Sequence, residues 1–298
     1  MNTIQELYSL IAKQTKVKKL SVAVAQDAHA LSAVIEAKNK GYVIPYLVGD
    51  EAKIKEIALK EQLDLSNTHI INETDETLAV KKAVQLVSSG EADILMKGYV
   101  ATGTLLRGVL NSEWGLKKAK VLSHLAFYEL PNYHKLLALT DVAMNIAPDL
   151  NEKIEIINNS VSFMNSIGIE KPKVAILGAV ETVSDKMPAT IDAAILSKMQ
   201  ERGQIKNCII DGPLAFDNAI SKESAEHKKI VSQVAGDADL LVFPTIEAGN
   251  VIYKALAYFV ESKSAAVILG AKAPIVLTSR SDSEETKLNS IVLAAVSK

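Results

Sequence analysis

The chain has 298 residues and a formal net charge of -2; 48% of the residues are hydrophobic, but only 5% are aromatic. This length allows one large or two medium domains with an apolar core packed mainly by Ala, Val, Ile and Leu. A nearly neutral charge gives no support for a nucleic-acid partner or an anionic membrane surface.

A single cysteine, Cys208, excludes an internal disulfide and fits a reducing compartment. The N-terminus shows no basic segment followed by an apolar core, so no signal peptide is expected. No apolar run approaches the ~18 residues of a membrane span. We therefore expect a cytoplasmic protein without a membrane partner.

Predicted strands and helices alternate along most of the chain. The first part is predicted to contain strand Leu20–Ala25, helix Asp27–Asn39 capped by Asp27, strands Tyr42–Val48 and Thr68–Asn72, helix Thr74–Ser88, strand Ala92–Met96 and a helix opening near Gly103. The pattern falters around Asn111–Leu130. It then predicts strand Leu136–Leu139, helix Asn151–Ile167, strand Val174–Leu177, helix Ala189–Arg202, strand Cys208–Ile210, a helix from about Glu226, strand Leu240–Phe243, helix Gly249–Val260, strands Ala265–Leu269 and Ile275–Thr278, and a last helix from about Ser283.

This alternation predicts an α/β fold with mainly parallel sheets and right-handed crossovers. The faltering segment is the candidate domain boundary. The last strand and helix fit either half, and we assign them to the first. The predicted domains are residues 1–120 plus 270–298, and residues 121–269. A chain that crosses between two sheets and returns would leave a cleft between the domains.

Three polar blocks follow apolar runs in the last third of the chain. They are Asp211-Gly212-Pro213, Ala248-Gly249-Asn250 with Tyr253-Lys254, and Thr278-Ser279-Arg280. Ligands of open α/β sheets bind outside the carboxyl ends of strands. The blocks therefore predict one site that is assembled from several loops.

Several common site motifs are absent from the sequence. There is no G-x-G-x-x-G, and Gly103–Gly108 has Val109 where a P-loop would have lysine. There is no G-x-S-x-G elbow either. Cys208 lies in an apolar run and is expected in the core. The histidines show no metal-ligand spacing; they are His29, His69, His124, His134 and His227.

Cationic and helix-opening residues remain, and they predict binding of a charged, phosphate-bearing ligand. Arg280 offers a planar fork beside the Ser279 hydroxyl, although alone it could equally be a surface residue. Arg107 lies one turn into the helix that opens at Thr102-Gly103, where backbone N–H groups favour an anion. Lys97, Asn250 and Lys254 are further candidates. The alternative for Lys97 is a solvated residue at the strand edge, for Asn250 a helix cap, and for Lys254 an exposed residue without a role in binding.

Residues 92–110 and 238–256 also resemble each other without gaps, with Gly103 matching Gly249. Two strand–loop–helix units can look alike by chance. The functional alternative is that two glycine-opened helix N-termini face a shared cleft.

Taken together, these blocks resemble the phosphate acetyl/butyryltransferase family over nearly the whole chain. The resemblance is carried by Asp211-Gly212-Pro213-Leu214, Phe243-Pro244 with Ala248-Gly249-Asn250 and Tyr253-Lys254, and Pro274 with Leu277-Thr278-Ser279-Arg280. Leu95-Met96-Lys97-Gly98, Leu106-Arg107, Leu110-Asn111 and Asp141 with Met144-Asn145-Ile146-Ala147-Pro148 resemble the butyryl branch in particular.

The resemblance implies two α/β/α domains of the isocitrate/isopropylmalate dehydrogenase type, with the site in their cleft and a homodimer or higher homo-oligomer. It implies conversion of acyl-CoA and inorganic phosphate to acyl phosphate and coenzyme A. Coenzyme A is then a substrate, and no cofactor is bound permanently. By the same resemblance, Ser279 contacts the CoA thiol, while Arg280 and Arg107 bind the phosphoryl end.

The sequence departs from the acetyl branch in two places. Where that branch has an aspartate proposed to deprotonate CoA, this chain has Thr286, so Asp282 and then Glu285 become the candidate bases. The acetyl branch also places an arginine shortly after Tyr-Lys, where this chain has Ala257 and Tyr258. We predict a phosphate butyryltransferase activity. An acetyl-specific enzyme, a metal- and NAD-dependent dehydrogenase on a related fold and a silent ligand-binding module are the alternatives.

Overall fold

A computed structural model describes residues 1–279 and 282–297 of the chain. The first elements are α1 (Ile4–Ile11), β1 (Lys18–Ala23), α2 (Ala28–Asn39), β2 (Val43–Gly49), α3 (Glu51–Lys60), β3 (His69–Asn72), α4 (Glu76–Ser88), β4 (Ile94–Lys97) and α5 (Thr102–Val109). They are followed by β5 (Ser123–Glu129), β6 (Leu137–Thr140), α6 (Leu150–Ser166), β7 (Lys173–Leu177), α7 (Pro188–Glu201), β8 (Ile209–Leu214), α8 (Phe216–Ile220), α9 (Lys222–His227), β9 (Leu240–Val242) and α10 (Ile246–Phe259). The last elements are β10 (Lys263–Leu269), β11 (Ile275–Val276) and α11 (Glu284–Val296).

The described residues form two compact units. The first, which we call the split unit, comprises Gln5–Lys120 and Ala265–Ser297. The second, which we call the central unit, comprises Met1–Ile4 and Val121–Ser264. Among the residues described, none of the helices combines the length and apolar character that crossing a membrane requires.

Strands of the split unit run in the order β3-β2-β1-β4-β11-β10. The pairs are parallel except β10–β11, and Val22 of β1 stands opposite Leu47 of β2 and Met96 of β4. Four consecutive residues of β1, Leu20–Ala23, are buried. Because successive side chains point to opposite faces, both faces of this sheet are covered. Helices α2 and α4 pack against its strands.

Strands of the central unit run in the order β5-β6-β9-β7-β8. Only the β5–β6 pair is antiparallel among the pairs described in this unit. Helix α6 packs against β5 and β6, and α7 against β7 and β8. The predicted α/β class with mainly parallel sheets is therefore confirmed.

Several elements differ from the sequence-based prediction. The helix expected from about Glu226 ends at His227 as α9, because Lys229 takes a left-handed φ of 56° and closes the last turn. Strand β8 continues through Asp211-Gly212-Pro213 instead of ending at Ile210. Proline is tolerated there because β8 is the last strand in the order and pairs with β7. Strand β5 lies in the segment where the sequence pattern faltered.

Candidate active site

The start of α5 brings an arginine and backbone amides together. Nη1 of Arg107 lies 3.7 Å from the position that a Cβ on Gly103 would take, so the guanidinium folds back over the first turn. Its Nη2 donates to Oγ1 of Thr104 at 3.0 Å. The N-cap residue, Ala101, offers no side-chain hydrogen bond to the helix start. Thr102, Gly103 and Arg107 therefore surround a helix terminus that favours an anion.

Lys97 is the last residue of β4, and Gly98 follows it in a tightly packed position. Lys97 is 7% exposed, and its Nζ donates to the carbonyl oxygens of Gly98 at 3.1 Å and Val100 at 3.4 Å. A Cβ on Gly98 would stand 2.1 Å from the carbonyl oxygen of Val24. The close approach explains the glycine and fixes the loop that leads into α5.

Ser279 and Asp282 follow β11 and are joined by two hydrogen bonds; we call this pair the Ser279 turn. The Ser279 N–H donates to Oδ2 of Asp282 at 2.6 Å, and the Asp282 N–H donates to the Ser279 carbonyl at 3.2 Å. Arg280, predicted to bind the phosphoryl end, lies outside the described residues. Ser279 is half-buried and follows the buried Thr278.

The two candidate bases occupy different surroundings. The Asp282 carboxylate is half-buried and is already engaged with the Ser279 N–H. Glu285 is exposed in the first turn of α11, where an acid is favoured by the helix dipole alone. Asp282 is thus the one of the two that contacts the turn containing Ser279.

Helix α10 carries the candidate residues of the central unit. It begins at Ile246 with Thr245 as its N-cap, so the prediction that Gly249 opens the helix is wrong. Gly249 instead lets the helix approach Val142 and Phe243, since a Cβ there would lie 3.1 Å from Cγ1 of Val142. Asn250 does not cap α10; its Nδ2 donates to the carbonyl oxygen of Val142 at 3.0 Å.

Asp141 organises the loop that faces the start of α10. Its carboxylate accepts the N–H of His124 at 3.0 Å, of Met144 at 3.1 Å and of Asn145 at 2.7 Å, and it also accepts the side-chain amide of Asn145. Burial raises the pKa of Asp141 above its ordinary value, against these hydrogen bonds. The Ile246 N–H then donates to the Ile146 carbonyl, which ties the loop to α10.

His124 is a buried imidazole beside Lys254 that sequence reasoning did not select. The His124 ring meets the Tyr253 ring edge-on, with the ring centres 5.6 Å apart. The Tyr128 ring also meets the Tyr253 ring edge-on at 5.6 Å, and the Tyr128 hydroxyl donates to the Tyr253 carbonyl. Burial and then the charge of Lys254 lower the pKa of His124 to about 4. Its Nδ1 has no hydrogen-bond partner among the described residues.

Asp211 lies inside β8 and not after it. Its Oδ1 accepts the N–H of Gly212 at 2.8 Å, and a Cβ on Gly212 would stand 2.7 Å from the Ile176 carbonyl. The block Asp211-Gly212-Pro213 therefore shapes the edge of the central sheet. Its expected part in substrate binding stays a prediction.

The candidates other than Asp211 thus fall into one group in each unit. Within the split unit the groups around Thr102 and Ser279 follow β4 and β11, which are paired parallel strands, so both leave the same edge of that sheet. Asn250 and Lys254 share α10 in the central unit. Sequence reasoning missed Lys287, whose ammonium also contacts the Ser279 turn, because its burial arises from packing that no local pattern shows.

Comparison with known proteins identifies the family. Residues 73–295 match the model described as Phosphate acetyl/butaryl transferase. The chain is 53% identical over 284 residues to a phosphate butyryltransferase of Clostridium acetobutylicum, covering 95% of this chain and 94% of that protein. It is 47% identical over 281 residues to a phosphate acetyltransferase of Thermotoga maritima, covering 94% and 95%.

A solved structure agrees with these relatives. The fold is similar to a branched-chain phosphotransacylase from Enterococcus faecalis V583, with a TM-score of 0.83 and 35% identity, covering 94% of this chain and 98% of that one. The chain therefore belongs to the phosphate acetyl/butyryltransferase family, whose members are phosphate acyltransferases. The predicted family is confirmed, and the similarities favour an acyltransferase over the alternative dehydrogenase.

Proposed function

We propose that this chain catalyses the reversible transfer of butyryl, or another short or branched acyl group, between coenzyme A and inorganic phosphate. The observation that carries the proposal is the Arg107 guanidinium over the N-terminus of α5, a phosphate-binding arrangement in a member of this family. The relatives named as butyryl and branched-chain enzymes support the acyl class. The alternative, an acetyl-specific enzyme, is supported by the Thermotoga maritima relative.

In the proposed reaction, the CoA thiolate attacks the carbonyl carbon of the acyl phosphate. A C–S bond forms, the C–O bond to phosphate breaks, and inorganic phosphate leaves with the electron pair. Ser279 orients the sulfur, while Arg107 and Arg280 hold the phosphoryl group. Lys97, Thr102, Gly103, Asn250, Lys254 and Asp211 complete substrate binding. A preorganised donor at a developing oxyanion contributes about 10²–10³ in rate.

Asp282 is the proposed base for the CoA thiol, with Glu285 as the second candidate. A thiol of pKa ~8.5 is mostly protonated at neutral pH, so removal of its proton accelerates attack. Asp282→Asn retains an oxygen that can accept the Ser279 N–H but loses the base, whereas Asp282→Ala loses both. If Asp282 is the base, the rate of the wild type falls at acidic pH as the carboxylate is protonated, which gives the acidic limb of the pH–rate profile. We expect this fall to be absent in Asp282→Asn. If Asp282→Asn and Glu285→Gln both keep that limb and wild-type turnover, neither carboxylate is the base.

The decisive experiment compares CoA release from acetyl-, propionyl-, butyryl- and isobutyryl-CoA in the presence of phosphate. We expect the highest kcat/KM with a four-carbon acyl group, and full activity in EDTA without added nucleotide. A preference for acetyl-CoA supports the acetyl-specific alternative. Dependence on added Mg²⁺ or NAD contradicts the proposal.

We also propose that residues 1–120 with 270–298 and residues 121–269 act as the two domains, and that the protein is a homodimer or higher homo-oligomer in the cytoplasm. Support for the dimer comes from α10, in which Gly249 is the buried residue while Val251, Tyr258 and Phe259 are 66%, 69% and 89% exposed. Positions 251, 258 and 259 are spaced i, i+7 and i+8 and so share one face of the helix, and an exposed apolar face is typical of a protein interface. Sedimentation analysis tests this: Phe259→Glu should shift the protein toward the monomer, and a monomeric wild type contradicts the proposal.

A further inference from the structure

Lys287 is a buried cation in a position that disfavours cations. It is 3% exposed and lies in the first turns of α11, where the helix dipole opposes positive charge. Burial lowers its pKa, while the carboxylates of Asp282, Asp27 and Glu284 act in the opposite direction. Burying an ammonium is costly unless it makes compensating hydrogen bonds.

Those hydrogen bonds go to the turn that carries Ser279. The Nζ of Lys287 donates to the carbonyl oxygen of Ser279 at 3.3 Å and also to that of Asp282. One ammonium group therefore contacts both ends of the turn. The Asp282 carboxylate closes the same turn through the Ser279 N–H.

Helix α11 does not require Lys287 in order to begin. Ser283 is its N-cap, and the Ser283 side chain accepts the N–H of Thr286 at 3.1 Å. The helix is then packed by its buried apolar residues, such as Leu288 and Ile291. The start and the packing of α11 are thus supplied by other residues. The hydrogen bonds of the Lys287 ammonium go instead to Ser279 and Asp282, which precede the helix.

We propose that Lys287 is a positioning residue for acyl transfer, whose ammonium holds the Ser279 and Asp282 carbonyl oxygens and so fixes the place of Ser279 relative to the substrate. This inference rests on the proposed function, in which Ser279 orients the CoA sulfur. Misplacement of a reacting group by about 1 Å can cost about 10²-fold in rate. The ammonium acts through the turn and does not itself contact the reacting atoms.

The test compares Lys287→Met with Lys18→Met. Lys18 is a matched control because its Nζ also donates to a backbone carbonyl, that of Ser297 beyond the other end of α11, and burial likewise lowers its pKa. We expect Lys287→Met to fold with a Tm within about 3 °C of the wild type. Its kcat/KM should fall ~10²-fold, with a raised KM for CoA, and Lys287→Arg should recover part of the loss. Lys18→Met should keep wild-type kinetics.

Each outcome decides the inference. A merely structural role lowers the folded fraction and the apparent kcat but leaves the KM for CoA unchanged, and that result overturns the proposal. Folded Lys287→Met with kcat/KM within about threefold of the wild type overturns it as well. If Lys287→Met does not fold, Lys287→Gln is measured instead. The proposal requires that its kcat/KM falls at least ~10-fold, and a smaller loss overturns the proposal. A wild type without phosphate-dependent acyl transfer refutes the proposed function itself, independently of every Lys287 variant.

Discussion

His124 should make the stability of this protein strongly dependent on pH between neutrality and pH 5. Burial and the charge of Lys254 lower its pKa from 6.5 to about 4. Because the pKa of His124 is lower in the folded than in the unfolded protein, its contribution to stability is complete above the pKa of the unfolded state. This contribution is lost as the pH falls toward the pKa of the folded state. For one site with these two values, linkage gives a loss of about 2 kcal/mol between pH 7.5 and pH 5.

The assay is urea unfolding of wild type and His124→Phe at pH 7.5, 6.5, 5.5 and 5.0, followed by circular dichroism. Phenylalanine keeps an aromatic ring against Tyr253 but does not titrate. The raised pKa of Asp141 acts in the opposite direction, and it cancels when the variant is subtracted from the wild type. His69→Phe is the control, because this exposed ring is stacked on Tyr46.

We expect the free energy of unfolding of His124→Phe to change by about 2 kcal/mol less than that of the wild type over this range. His69→Phe should follow the wild type. If the free energy of unfolding depends on pH equally in the wild type and in His124→Phe, the argument is refuted. A neutral buried imidazole beside a lysine must bind a proton on unfolding in this pH range.

Three further predictions concern single side chains. Gly98→Ala should destabilise the protein by about 3 kcal/mol in urea unfolding, because the added Cβ would meet the Val24 carbonyl oxygen. Gly103→Ala is the control and should not destabilise the protein. Equal stabilities of the two variants would contradict the packing described for Gly98. Cys208 should resist Ellman's reagent at pH 8 until the chain unfolds, because burial raises its pKa to about 11; rapid labelling of the native protein would show otherwise. Arg280→Lys should lose ~10² in kcat/KM, since lysine keeps the charge without the planar fork, and near-normal kinetics would make Arg280 a surface residue.

The fold was predictable wherever a local signal and the tertiary structure agree. Asp27 precedes an apolar helical pattern, and in the structure its Oδ1 accepts the N–H of Ala30 as an N-cap. The strand-and-helix alternation likewise predicted parallel pairing. Gly212-Pro213 was misleading because an edge strand tolerates residues that usually end a strand.

The candidate site was less predictable, because its residues depend on packing between distant segments. Gly249 was expected to open a helix, yet it serves a close contact with Val142. Lysine is a residue type that usually faces solvent and histidine is only intermediate, so the burial of Lys287 and His124 was not expected, and neither residue belongs to a motif. The Arg107 position was predictable because helix geometry places a residue one turn from Gly103 over the helix start.

The strand order of the split unit has a consequence for synthesis of the protein. Strand β11 lies between β4 and β10, so the sheet that begins with the first strands of the chain is completed by residues near its end. Nearly all of the central unit is continuous in sequence and can fold as it leaves the ribosome. The split unit must wait for β11, and the Ser279 turn follows β11 directly. A chain that stops before β11 therefore lacks both the strand that closes the sheet and the turn proposed to act on substrate.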